Sequence, residues 1–112
     1  MKSILFTAAL LASLSAHAAV SANCLVTAVL DGALPLAHGE SVTISDSKAV
    51  IGSTIVNDAT IVEHTNGSLR AVRVIDQGTT IEVISDTRTN EGALYVTALS
   101  GPTVKVALLH CR

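Results

Sequence analysis

His38, His64 and His110, two cysteines and a scatter of carboxylates are the side chains beyond the N-terminal segment that could do chemistry. A metal centre takes three or four converging ligands, usually with a close-spaced pair, and no H-x-H, H-x-x-x-H or C-x-x-C occurs. The histidines therefore read as surface or strand-end residues, and no metal or cofactor is expected. A serine hydrolase needs its nucleophile placed beside a base, as a G-x-S-x-G elbow does; the chain has no such motif. Glu82 with Asp86, and Asp58 with Glu63, come closest to a carboxylate pair for acid/base work. Each sits at a turn or on the outward side of an alternating run, where carboxylates are solvated. The expectation is a protein without catalysis.

Cys24 and Cys111 are the only cysteines, and they stand near the two ends of the domain. Their compartment is indicated by the start of the chain: Lys2, an apolar run over residues 4–14 (ILFTAALLASL) and the small-residue triplet Ala16-His17-Ala18. Those are the three parts of a secretory signal peptide, expected over residues 1–18, with cleavage best placed after Ala18 and Ala22 as the second choice. The apolar run is shorter than the ~20 residues that cross a bilayer, and no later segment is long and uncharged enough to be a membrane span. In an exported chain a lone cysteine pair reads as one disulfide, here Cys24 to Cys111. Closing so long a loop restricts the unfolded chain by roughly 4 to 4.5 kcal/mol in the entropy model.

The elements that must position these residues are strands. Apolar residues recur at every second position in short runs rich in Val, Ile and Thr, separated by Gly, Asn, Asp and Ser. The runs fall at residues 24–30, 41–45, 48–56 with a bulge or break at Gly52, 59–64, 68–75, 79–85, 93–99 and 103–111. Val42, Ile44, Ile81 and Val83 should face inward, and Thr43, Thr80 and Glu82 outward. Asn66-Gly67 predicts a two-residue type I′ turn, and Asp76-Gln77-Gly78 predicts the next. Residues 93–99 and 103–111 are apolar on both faces at their centres, which predicts interior strands. The fold class expected is all-β: a small antiparallel sandwich or barrel of about six to eight short strands over residues 19–112, closed by one disulfide.

Without Lys2, six scattered Lys and Arg face nine Asp and Glu, and there is no basic run to suit nucleic acid or an anionic membrane. Tyr95 is the one aromatic left after the signal, and Trp is absent, so stacking platforms for sugars or single strands are missing too. Residues 86–92 (DTRTNEG) are the most polar stretch and the expected mobile loop. Asp86, Arg88 and Glu91 are the candidate partner-binding residues there, because loops on a rigid scaffold commonly carry recognition. Asn66-Gly67-Ser68 is also an N-glycosylation sequon, making Asn66 a candidate modification site in a eukaryotic source.

With its signal, the opening Ser21-Ala22-Asn23-Cys24, its strand pattern and the terminal Cys111-Arg112, the chain resembles the fungal secreted effectors of the ToxB-like, or MAX, type. That resemblance implies a small exported β-sandwich of about six strands, clasped by one or two disulfides and acting on host plants without known catalysis. This chain is longer and lacks the mid-chain cysteine to which the first cysteine is usually joined. The function expected is a secreted, extracellular effector or toxin-like protein that binds a host protein. The alternatives are a secreted enzyme inhibitor or other binding module, and a structural subunit of a surface layer or filament.

Overall fold

The computed structural model describes residues 21–112; the expected signal, residues 1–18, lies outside the described residues. The strands are β1 (Ser21–Val29), β2 (Ser41–Ser45), β3 (Lys48–Ile51), β4 (Thr54–Val56), β5 (Thr60–Asn66), β6 (Leu69–Asp76), β7 (Thr79–Asp86), β8 (Glu91–Thr97) and β9 (Thr103–Cys111). They form a single sheet in the order β4-β3-β2-β1-β9-β8-β7-β6-β5, antiparallel throughout. The all-β architecture is as expected. Its form differs: nine strands make one curled, open half-barrel rather than two stacked sheets.

The strand order has a simple logic. β1 to β4 make one meander, β5 to β9 make another, and pairing of β1 with β9 joins them. Only β4 and β5 are sequence neighbours that do not pair, and they are the two free edges. Residues 57–59 link them, and so short a link spans at most about 14 Å. The sheet must therefore curl until one end of β4 approaches the start of β5. Ala59 marks the approach: it is buried in the core and donates its N–H to the Ser47 carbonyl, at 2.8 Å, on the β2–β3 turn.

Two bulges help the sheet bend at its centre. The β1–β9 register skips Thr27, and the β8–β9 register skips Val106. An extra residue bends its strand and tightens the local twist. At the second bulge Val106 and Ala107 are consecutive yet both fully buried, and the Val106 carbonyl accepts the N–H groups of Leu30 and Asp31.

Alternation sets the inner face. Val42, Ile44, Val72, Val74, Ile81, Val83, Leu94 and Leu109 pack with both cysteines into one core cluster drawn from both meanders. Thr43, Thr80 and Glu82 are only partly buried, as the period-two pattern requires. β9 holds the middle place in the strand order with β8 beside it, so the strands apolar on both faces are interior ones. Cys24 and Cys111 are directly opposed in the β1–β9 register, with Cα atoms 4.0 Å apart, and are bonded to each other. The clasp expected from the sequence therefore joins adjacent strands.

The first hairpin of the second meander is displaced by one residue from the sequence expectation. Asn66 pairs with Leu69 as the last rung of β5, and the two turn residues are Gly67 and Ser68. Gly67 alone has positive φ (63°), as a type II′ turn requires at its first central position. The type I′ pattern falls instead at Gln77-Gly78, where both residues have positive φ (47° and 86°). Of the bulge or break expected at Gly52, the structure has the break: Gly52 turns β3 into β4 at φ 60°.

A Cβ at position 67 would meet nothing within 4 Å, so the cost of substitution there is purely conformational. Gly67→Val should destabilise by more than ~1 kcal/mol, because a β-branched residue resists positive φ. Gly67→Ala, which lacks the branch at Cβ, should cost less than the valine. Urea unfolding of the two variants beside the parent measures the difference, and equal stability of all three would rule out the turn assignment.

Candidate recognition end

The sequence-selected residues gather at the end of the sheet that carries the disulfide. β7 runs through Asp86 and β8 begins at Glu91, so the polar stretch shrinks to a turn over residues 87–90 with Asp86 and Glu91 as its bases. This turn is not a loose loop. Its Thr87 donates both its backbone N–H (2.8 Å) and its hydroxyl (3.1 Å) to the Ser68 carbonyl of the β5–β6 turn. The Asn90 N–H bonds the Asp86 carbonyl at 2.7 Å, and the Asn90 carbonyl accepts the Cys111 N–H at 2.6 Å. Two hairpin tips and the C-terminal strand are thereby stitched together, through backbone partners remote in sequence.

Within the turn Asp86 and Arg88 hold one another. The Asp86 carboxylate accepts the Arg88 backbone N–H at 2.9 Å and its guanidinium at 3.2 Å. Hydrogen bonding from Arg88 lowers the Asp86 carboxyl below its ordinary value, and the same bond raises the Arg88 guanidinium. The Arg88 side chain stays 75% exposed. Of the other arginines on this half of the sheet, Arg73 is bonded to Glu82 at 2.9 Å and Arg70 to Glu63. Glu82, Asp86 and Glu63 are thus each bound to an arginine. Glu63 is in register with buried Val72 and so lies on the inner face of an edge strand, not on an outward position.

His38 lies in the loop before β2, His64 on edge strand β5 and His110 on central strand β9. Among the described residues no three His, Cys, Asp or Glu side chains converge as a metal site. A cavity of about 50 Å³ beside the disulfide is lined by Arg70, Ser85, Asp86, Asn90, Cys111 and Arg112. That is room for a few waters and well below the ~300 Å³ at which small-molecule sites begin. On the convex face, next to Glu91, lies a shallow depression of about 300 Å³ lined by Thr27, Leu108 and His110. Leu108 is 37% exposed there. Leu108 and His110 were not legible as site residues, because their alternation is that of any strand and their place beside Glu91 follows from the β8–β9 register.

Gly92 is the other residue the sequence did not flag. It opens the inner face of β8 beneath the disulfide, where a Cβ would stand 2.7 Å from the Ile84 carbonyl oxygen and 3.3 Å from Cys111 Sγ. Only glycine lets β7, β8 and the staple approach so closely. Comparison with family models, with curated proteins and with solved structures found no match to this chain.

Two outcomes check this end. Gly92→Ala should cost about 1–3 kcal/mol by overpacking against backbone and sulfur, seen as a fall in the thermal midpoint of about 4 °C or more. Asp86 should titrate below a solvated aspartate in a carboxyl-carbon NMR titration, and Arg88→Ala should move its midpoint back up. Since folding lowers this carboxyl, its stabilising effect is complete above the unfolded value near 4 and is lost as pH falls through the lowered folded value. An unchanged midpoint in the variant would remove Arg88 as the cause.

Proposed function

We propose that this chain is an exported, non-catalytic protein that acts by binding a host or other extracellular protein through the end carrying the 87–90 turn. One observation carries the reading: two hairpin tips fixed to each other and to the stapled C-terminal strand hold Arg88, Glu91 and the depression at Leu108 and His110 in one arrangement. Recognition surfaces gain affinity from such preorganisation, since little ordering entropy is lost on binding. The disulfide suits an oxidising compartment, in keeping with the signal expected at residues 1–18. A plant protein as the partner rests on the resemblance to exported fungal effectors alone, whose sandwich of about six strands this single nine-stranded sheet does not reproduce.

A second reading is favoured by the free edges of β4 and β5, on which Ile55 and Val62 are 57% and 46% exposed. Edges of this kind can template strand pairing between copies, as a layer or filament subunit would use. Mass that rises with concentration in sedimentation would pick out this alternative.

The primary reading is tested by infiltrating the oxidised protein into plant tissue beside its reduced form and an Arg88→Ala/Glu91→Ala double variant. The expected result is a response to the oxidised parent that both other samples lose, with the double variant retaining its disulfide and its far-UV spectrum. A response that needs the fold but ignores both side chains would move the site to an edge strand. Measurable turnover of any substrate would overturn the reading.

A further inference from the structure

Of the four asparagines in the chain, 23, 57, 66 and 90, only Asn66 begins an N-x-[ST] sequence. The fold puts that residue where a large substituent has room. Asn66 ends β5, an edge strand, and is exposed. Residues in register with buried Val72 and Val74 set the inner face of β5 at Ile61 and Glu63, so the even-numbered Asn66 lies on the convex side. Its side-chain amide makes no hydrogen bond among the described residues.

A second, independent observation is the neighbour. Leu69 is the register partner of Asn66 and shares its face, yet is 50% exposed at the hairpin tip. Val62, on the same face of the same edge strand, is 46% exposed. An apolar tip on a free edge is a liability for self-association unless it is screened.

We infer that Asn66 carries an N-linked oligosaccharide, whose first sugar lies over Leu69 and whose bulk screens the open edge of β5. The donor is an oligosaccharide carried on a lipid pyrophosphate, in the secretory compartment where the disulfide also forms. The bond from Asn66 Nδ2 to the sugar C1 forms as the C1–O bond to the pyrophosphate breaks. The pyrophosphate departs with that electron pair, and the amide gives up one proton. Glu91 lies three strands from β5, about 14 Å at the usual strand spacing, whereas the 87–90 turn is nearer, since its Thr87 is bonded to Ser68 of the Asn66-Gly67-Ser68 sequence itself. The glycan therefore stands beside that turn; it rests on the export that the proposed function also assumes, and intact mass reads it independently of any partner binding.

The test uses full-length protein secreted by its native source. Its intact mass should exceed that of the disulfide-bonded chain, and an amidase that releases N-glycans should collapse it to the chain mass. In heavy-oxygen water that release should leave a labelled aspartate at position 66, which earlier spontaneous deamidation of the Asn-Gly sequence would leave unlabelled. Asn66→Gln and Ser68→Ala should each abolish the added mass, and the first should sediment as a larger species than the glycosylated parent at equal concentration. Native protein with an unmodified Asn66 overturns the inference outright. Glycosylated protein whose self-association is unchanged by removing the glycan overturns the screening role.

Discussion

The ladder between β1 and β9 is the interaction on which the rest of the structure depends. Without it the chain is two separate meanders, a four-stranded one and a five-stranded one, joined by three residues and each with half a core. The ladder puts the first and last strands at the middle of the sheet, and pairs Cys24 with Cys111 across 87 residues of sequence. Such a contact is costly in loop-closure entropy and is made late or slowly by a free chain. A covalent bond at that point removes much of the cost from the unfolded state, on the order of 4–5 kcal/mol in the entropy model, against the ~5–15 kcal/mol that a domain has in total. Gly92 belongs to the same region, since a Cβ there would stand 2.7 Å from the Ile84 carbonyl oxygen and crowd Cys111 Sγ at 3.3 Å.

A sheet joined at its middle leaves its edges elsewhere, and each edge carries a partial guard against pairing. β4 is three residues long, too short to template much pairing. β5 is longer, but it turns the charged Glu63 toward the inner face and holds it with Arg70. An inward-pointing charge on an edge strand disfavours addition of another strand, which would have to bury it. The same ion pair explains why the core stops short of this edge: Ile61 is only half-buried, and from Glu63 onward β5 is exposed on both faces.

Much of this was legible because strand alternation is local. The inward positions of Val42, Ile44, Ile81 and Val83 and the interior places of β8 and β9 follow from spacing alone. The cysteine pair followed from there being only two. What alternation cannot distinguish is a pair of stacked sheets from one sheet curled on itself, since both bury every second residue. The curl depends on bulges at Thr27 and Val106, whose flanking residues look like any other strand. The turn at Gly67-Ser68 was misplaced by one residue because glycine satisfies either central position, and Asn66 beside it made the other choice attractive. The polar stretch at 86–92 reads as mobile from composition, but Ser68 and Cys111, which hold it, belong to hairpins that the sequence does not place beside it.

Charge at the recognition end comes in two kinds, and they would act differently toward a partner protein. Arg88 with Asp86 at this end, and Arg73 with Glu82 farther along the same strands, already satisfy one another on their own surface. A partner that buried such a pair would desolvate two ions for little new attraction, so these pairs suit an interface rim, where they tune the rate of encounter. Glu91 makes no ion pair among the described residues, and it borders a depression lined in part by the exposed Leu108. A cation set over Glu91 together with an apolar side chain seated on Leu108 would add attraction and burial at one point. Interfaces place their slow-dissociating contacts at such apolar centres rather than at the rim. On physical grounds the convex face beside the turn, more than the guanidinium at its tip, is the part of this end able to hold a partner.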